Sequence, residues 1–342
     1  MTDGGTTGVL AAPQPTTGFT EDTSETATSL TTPEATAVPV SVNYDDEDLA
    51  TESNNSTAVT IQLKGDAISY DSNSITIDNG TFLLASSDDG IHADASLTIN
   101  GGELTITRSY EGLESGVIII NGGNIHLIAS DDGINVTDGS GGGMMGGRPM
   151  ETIAAGYYLE INGGYLYVDA GGDGLDSNGT GTLNGGVVIV NGPTNNGNGA
   201  LDVGGNLVVN GGFLVAAGSA GMAQSPSSAS TQYSALINLG GTLPAGSIIH
   251  IESADGEDIL TFTPTKVAQT VVISSPELEL GTTYAVYVGG QTTGTFTDGL
   301  YTNGTYTTGT QVSSFTIASM VTGESNGMGG FQGGGGPGRG RP

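Results

Sequence analysis

An Asn-Gly-Gly triplet that returns at nearly fixed intervals constrains this chain more than any other feature of it. The triplet starts at Asn100, Asn121, Asn162, Asn184 and Asn210, with a variant, Asp78-Asn79-Gly80, one interval earlier; the gaps are 22, 21, 41, 22 and 26 residues. A second marker keeps step: SDDGI from Ser87, SYEGL from Ser109, SDDGI from Ser130, GGDGL from Gly171, then the weaker NGAL and AGMA. Between markers apolar side chains alternate, as at Leu97, Ile99, Leu104 and Ile106, then Ile118, Ile120, Ile125 and Leu127, then Leu159, Ile161, Leu166 and Val168. Period two means strands rather than helices. A repeat of about 21 residues rising ~3.3 Å each traces roughly 70 Å, enough for one coil of three short strands joined by glycine turns. That is the rung of a solenoid.

The pattern predicts an all-β parallel β-helix of about six regular rungs, from Ile75 to about Gln224. The 41-residue gap reads as one rung carrying a Gly/Met-rich excursion at 139–156, since that stretch holds neither marker and no alternation. Residues 1–57, rich in Thr, Ser and Pro, read as a linker or stalk; 58–233 as the β-helix; 323–342 as a disordered Gly-rich tail. Residues 234–322 lose the period but keep strands, at 247–252, 258–262, 270–273, 284–288 and 315–317, and read as a small C-terminal β cap. A solenoid end exposes unpaired strand edges, so a cap is physically expected.

Stacked rungs lie ~4.8 Å apart, which turns the repeat alignment into columns of side chains. The corner asparagines form one column above Asp78 and suit an amide ladder, a structural role. The second marker aligns Asp89, Glu111, Asp132 and Asp173, with His92, Glu114, Asn135, Asp176 and Asp202 three residues further on and Asp88 and Asp131 beside them. Two carboxylates ~5 Å apart repel by about 3 kcal/mol at an effective dielectric near 20, and a stack multiplies that cost. Calcium bonds oxygen at 2.3–2.6 Å, so an ion between rungs suits this spacing. The expected metal ligands are therefore Asp88, Asp89, Glu111, Glu114, Asp131, Asp132, Asn135, Asp173, Asp176 and Asp202. The alternative is a solvated acidic edge that keeps the solenoid soluble.

Charge narrows the partners. The chain carries 36 acidic and 6 basic side chains, a formal net charge of −30, and no cysteine. Such a polyanion repels nucleic acid and anionic membranes, and thiol chemistry is excluded. No apolar run reaches the ~18 residues of a membrane helix, and Met1 is followed by polar sequence rather than a signal peptide. On the strand after each Asn-Gly-Gly corner, Asn124 and His126, then Tyr165 and Tyr167, point outward beside Val187, Ile189, Phe213 and Val215. Aromatic surface with polar neighbours suits a sugar ring, so Tyr165, Tyr167, His126 and Asn124 are candidate carbohydrate-binding residues. The tyrosines equally suit packing against the excursion or the cap.

The corners, with the segments GGDGLDSNG, VIVNGPTNNGNGALD and GMAQSPSSASTQYSALIN, resemble a bacterial family of carbohydrate-binding domain proteins over about Thr60 to Met320. The resemblance implies a right-handed parallel β-helix similar to polysaccharide lyases. It also implies bound calcium, binding of cellulose and of acidic polysaccharide such as polygalacturonate, and no demonstrated lyase activity. The rungs before Asp88 are fewer than the family pattern leads one to expect.

Three functions compete. A non-catalytic extracellular or cell-surface polysaccharide binder with structural calcium fits best. A cell-surface scaffold or filament subunit, self-associating through solenoid ends, fits the repeat as well. A lyase needs a basic side chain near a calcium-bound uronate, and Arg108, the basic residue within a regular rung, reads more simply as a local ion pair with Glu111.

Overall fold

The computed structural model describes residues 67–70, 74–137 and 156–323, with the backbone of the short strands Gly8–Val9, Ser29–Leu30, Pro39–Val40 and Val59–Gln62. The excursion, apart from Gly156, lies outside the described residues, as do most of 1–57 and all of the tail but Gly323. No helix occurs among the described residues. The chain adopts the solenoid that the repeat predicts, about six turns of three parallel sheets.

Each rung passes through the three sheets in turn. The first sheet stacks Ile68–Tyr70, Ile91–Ala93, Leu113–Ser115, Ile134–Val136, Leu175–Ser177 and Leu201–Val203. The second stacks Ser74–Ile77, Ser96–Ile99, Val117–Ile120, Tyr158–Ile161, Thr180–Leu183 and Leu207–Val209, with Ser29–Leu30 beside its first strand. The third stacks Val59–Gln62, Thr81–Ala85, Glu103–Arg108, Asn124–Ala129, Tyr165–Ala170, Val187–Asn191 and Phe213–Gly218. Register is kept from rung to rung, so Leu104, Ile125, Leu166, Val188 and Leu214 form one inward column. Alternation sends these side chains into a continuous core, where Leu97, Ile106, Leu113, Ile118, Ile125 and Leu127 are fully buried. Apolar burial of this kind is the main stabilising term.

The Asn-Gly-Gly corner joins the second and third sheets. Its second glycine has positive φ at Gly102, Gly123, Gly164, Gly186 and Gly212, a backbone state that side chains disfavour. The asparagines form the expected ladder. Asn100 donates to Asp78 (2.7 Å), Asn121 to Asn100 (2.8 Å), Asn162 to Asn121 (2.9 Å), Asn184 to Asn162 (2.8 Å) and Asn210 to Asn184 (3.0 Å). These amides are exposed, so water replaces a lost partner cheaply. Asn121→Ala removes two such bonds and is expected to lower stability by about 1–2 kcal/mol, read as a shifted urea midpoint with unchanged slope.

The last rung is sealed. The Gln224 side chain accepts from Val203 N and donates to Val203 O, both at 2.9 Å. Ser227 N donates to Leu207 O, Ser230 Oγ accepts from Val209 N, and Thr231 N and Gln232 N donate to Val209 O. Residues 224–232 thus occupy ladder groups that a further rung would use.

The third sheet instead continues into the C-terminal region. Phe213–Gly218 pairs antiparallel with Ala268–Ser274, which pairs with Ser234–Leu243. A separate six-stranded antiparallel sheet has the order Thr295–Thr297, Leu300–Thr302, Asp258–Phe262, Ile249–Ser253, Thr283–Val288, Thr310–Thr316. A second core forms between them: Ile251, Phe262, Val271, Tyr284 and Val286 cluster with Ile189, Val215 and Ala217 of the last rungs. The outward apolar face of those rungs is thereby covered.

Candidate functional site: an acidic edge along the solenoid

In the three-residue strands Ile91–Ala93, Leu113–Ser115, Ile134–Val136, Leu175–Ser177 and Leu201–Val203 the first and third side chains are buried, while the middle one is half-buried at His92, Asp176 and Asp202 and buried at Glu114 and Asn135. Pairing stacks these middle residues in register: His92 on Glu114, Glu114 on Asn135, Asn135 on Asp176, Asp176 on Asp202. The corner just before each strand stacks as well, with Gly90 N on Glu111 O, Gly112 N on Asp132 O and Gly133 N on Asp173 O. Both acidic columns read from the sequence therefore exist and run side by side.

Hydrogen bonds tie each column to the next rung. Asp132 Oδ1 accepts from Asp173 N at 2.6 Å, Asp173 Oδ1 accepts from Gly199 N, and Asp89 Oδ1 accepts from Glu111 N at 3.3 Å. Asn135 Nδ2 donates to Glu111 Oε2 at 2.6 Å, crossing between columns. A glycine makes room at one rung: a Cβ on Gly172 would lie 2.3 Å from Oδ1 of both Asp131 and Asp132.

The setting opposes negative charge. Burial, with repulsion from Glu114, Asp89 and Asp132, pushes the Glu111 carboxyl up to about 8 against the hydrogen bond from Asn135. Burial and the neighbouring Asp173 push Asp132 up to about 7. Asp176 lies well above the usual carboxylate range through burial and repulsion from Asp132, Asp173, Asp202 and Glu111. Asp89 is raised to about 6, chiefly by burial. Desolvated like charges in one place explain all four. The exposed Asp88 is raised by partial burial and by Asp89, while half-buried Asp131 holds the Tyr110 hydroxyl and pushes it up to about 12.

One end of the edge carries its own cation. His92 Nδ1 lies 2.8 Å from Glu114 Oε2 and 3.2 Å from Asp89 Oδ2, and its Nε2 lies 3.0 Å from Asp94 Oδ1. The hydrogen bonds to Asp89 and Glu114 push the imidazole up to about 11. Ligand atoms of Asp89, His92 and Glu114 fall within 4.8 Å of one another, a grouping able to hold a metal ion. An imidazolium offers no lone pair, so at neutral pH His92 itself supplies the positive charge there. Sequence reading placed His92 in the column without this role; the clue was a basic residue between Asp89 and Asp94, three and two positions away.

Further along, Glu111, Asp132, Asn135, Asp173, Asp176 and Asp202 present hard oxygen donors from consecutive rungs. Raised carboxyls that a divalent cation would return to the charged form are the donor set calcium prefers. Their chemistry suits such an ion, although among the described residues three or more acidic or histidine ligand atoms come within 4.8 Å of one another at Asp89, His92 and Glu114 alone.

The candidate sugar residues lie elsewhere, on the third sheet. Tyr165 and Tyr167 are partly buried and pack on the C-terminal core. The Tyr165 hydroxyl donates to Asp298 Oδ2 at 2.8 Å, and His126 Nε2 meets the same oxygen at 2.8 Å. The His126 ring lies 5.7 Å from that of Tyr165 and 5.6 Å from that of Tyr167. Asn124 donates to Glu103 Oε2 at 2.8 Å. Tyr165, Tyr167 and His126 lie at the seam between solenoid and C-terminal region, with Lys266 bound to Asp169 (2.8 Å), whereas Asn124 pairs within the solenoid. Arg108 is exposed at the end of its third-sheet strand.

Fold and edge together define a parallel β-solenoid bearing a long, oxygen-lined acidic face. A family model described as carbohydrate-binding domain-containing protein matches residues 40–112 and 56–150, which include the first three rungs and stop short of the C-terminal region. No curated protein matches the chain, and no solved structure does.

Proposed function

We propose that the protein is a non-catalytic polysaccharide-binding module working outside the cell, with calcium held between rungs by Glu111, Asp132, Asn135, Asp173, Asp176 and Asp202. The family match supports the carbohydrate; the stacked, desolvated carboxylates carry the reading of the site. Bound there, calcium would neutralise the column and offer remaining coordination positions to carboxylates of an acidic glycan such as polygalacturonate. Without it, a chain of net charge −30 repels a polyuronate. The sealed last rung speaks against a filament grown end to end, since residues 224–232 already use the edge that a neighbour would need.

Isothermal titration with polygalacturonate tests the reading. Micromolar or tighter binding is expected with calcium, at least tenfold weaker binding in a chelator, and recovery on adding calcium back. The pair Asp132→Asn and Asp176→Asn is expected to abolish the calcium response. Undiminished binding in chelator would remove calcium from the reading, and no binding of any polysaccharide would remove the function.

A further inference from the structure

The first corner, Asp78-Asn79-Gly80, departs from the Asn-Gly-Gly corners above it. Asn100 donates to Asp78 and Glu103 N donates to Gly80 O, which sets Asp78 against Asn100 and Gly80 against Gly102. Asn79 therefore stands where the later corners have their first glycine, outside the amide column. It is exposed, and the hydrogen bond it makes is to its own neighbour: Gly80 N donates to Asn79 Oδ1 at 2.8 Å. Gly80 takes φ +125° there, a state glycine adopts readily.

Asparagine followed by glycine is a labile pair, because the glycine nitrogen can attack the side-chain carbonyl carbon and no Cβ stands in its way. Each ladder asparagine also precedes a glycine and is also exposed, so neither sequence nor exposure sets Asn79 apart. Hydrogen bonding does. Asn100, Asn121, Asn162 and Asn184 each donate to the residue below and accept from the asparagine above, and Asn210 donates to Asn184 and accepts from Thr231 Oγ1 at 3.1 Å. An amide anchored at both ends lies along the column and is kept from folding back on its own main chain. At four other Asn-Gly pairs the glycine nitrogen is taken: Gly179 N by Ser177 Oγ (3.2 Å), Gly192 N by Ala217 O (2.8 Å), Gly197 N by Asn195 Oδ1 (2.9 Å) and Gly199 N by Asp173 Oδ1. Asn303, exposed at φ +56°, precedes Gly304 without a bond between the two. Among the described residues, Asn79 is the asparagine whose side-chain oxygen holds the nitrogen of the glycine after it.

We propose that Asn79 is a site of spontaneous covalent modification, presented for deamidation by the first corner while the ladder shields the stacked asparagines. Gly80 N gives up its proton and attacks Asn79 Cγ; the N–Cγ bond forms, the Cγ–Nδ2 bond breaks, and Nδ2 leaves with that proton as ammonia. Water then opens the five-membered imide. Addition at Cγ leaves aspartate, and addition at the main-chain carbonyl carbon of residue 79 leaves isoaspartate, whose backbone is one carbon longer. Reactions within one chain gain most when the reacting atoms are held about 3–3.5 Å apart. The 2.8 Å bond keeps Gly80 N beside the carbonyl whose carbon it attacks. Either product places a new carboxylate next to Asp78 at the foot of the ladder. Isoaspartate also displaces Gly80, whose oxygen holds Glu103 N at 2.8 Å and against which Gly102 packs so closely that a Cβ would lie 2.7 Å away. Conversion at Asn79 thus loosens the first corner and leaves the rungs above it intact.

The full chain is aged in mildly alkaline buffer, folded and in concentrated urea, and peptide mass spectrometry follows replacement of NH2 by OH at each asparagine; an isoaspartate methyltransferase counts the rearranged product. In the folded protein Asn79 is expected to convert about tenfold faster or more than Asn100, Asn121, Asn162, Asn184 and Asn210, and in urea all of them are expected to converge within about threefold. Asn121→Ala removes the amide above Asn100 and the one below Asn162. It is expected to speed conversion at those two positions and leave the rate at Asn79 unchanged. Conversion at Asn79 no faster than along the ladder in the folded protein overturns the proposal, and so does a lead that persists in urea, which would trace it to local sequence instead of the fold. Unchanged rates at Asn100 and Asn162 in the Asn121 variant overturn the shielding by the ladder.

Discussion

Stripped of divalent ions by a chelator, the protein is expected to melt at progressively lower temperature as pH rises from about 4 to about 8, and calcium is expected to reverse that slope. The reason is the sign of the carboxyl shifts. Glu111, Asp132, Asp89 and Asp176 are all raised in the folded chain, with Glu111 at about 8 and Asp132 at about 7. Between their ordinary and their raised values the native state holds more protons than the unfolded one, so stability falls with pH through that window. His92 acts in the same direction: raised to about 11, it contributes stability fully present below about 6.5 and lost as pH climbs through its folded value. Asp132 alone accounts for on the order of 4 kcal/mol, and a kilocalorie moves the melting point of a domain this size by roughly 2–4 °C. A drop of about 10 °C or more between pH 5 and pH 8 in chelator is therefore expected. Asp132→Asn should flatten the slope in chelator and weaken the rescue by calcium, opposite changes from one substitution. A melting point that stays level or rises with pH in chelator would mean that the columns are solvated and carry no strain for an ion to relieve.

The columns were legible because register is an arithmetic property of the sequence. Once Asn121 lies over Asn100, Asp132 must lie over Glu111, and no side-chain detail can alter that. Direction was not legible. Strands such as Leu113–Ser115 and Ile134–Val136 are three residues long, too short for alternation to say which side chain faces out; the structure sets the middle one, Glu114 or Asn135, in the acidic column and buries it with its neighbours. The sealing of the final rung escaped notice for a different reason, since Gln224, Ser227 and Ser230 act through individual hydrogen bonds without any period. In the C-terminal region the apolar strands at 258–262 and 284–288 announced themselves, whereas Ser234–Leu243 and the hairpins between 291 and 307 did not. Their glycines and threonines resemble turn sequence, and only packing against Phe262 and Val271 makes them strands.

Gly133→Ala is expected to destabilise the protein by more than 3 kcal/mol although it adds a single methyl group. The glycine of each acidic corner sits in close contact with the neighbouring rung. A Cβ on Gly133 would lie 2.2 Å from Val168 Cγ1 and 2.7 Å from the carbonyl oxygen of Gly174. The equivalent atom on Gly112 would lie 2.3 Å from Gly133 O, and on Gly174 2.4 Å from Ala200 O. Backbone cannot step aside here without lengthening the bonds from Gly133 N to Asp173 O (2.9 Å) and from Ile134 N to Gly174 O (3.2 Å). Overpacking of a close-packed interior costs about 1–3 kcal/mol where side chains can adjust, and more where the obstacle is main chain. Two other glycines calibrate the effect. Gly241 meets nothing within 4 Å and has no positive φ, so its alanine variant should change stability by less than ~0.5 kcal/mol. Gly246 also meets nothing but has φ +77°, so its alanine variant isolates backbone strain at about 1–2 kcal/mol. Urea denaturation of the three variants, with calcium present, should rank them Gly241, Gly246, Gly133 in order of increasing loss. Because Asp132 precedes Gly133, the same substitution should also weaken calcium rescue in chelator titrations. A Gly133 variant as stable as the Gly241 variant would mean that the rungs do not approach as described, and the ion site built on their spacing would fall with it.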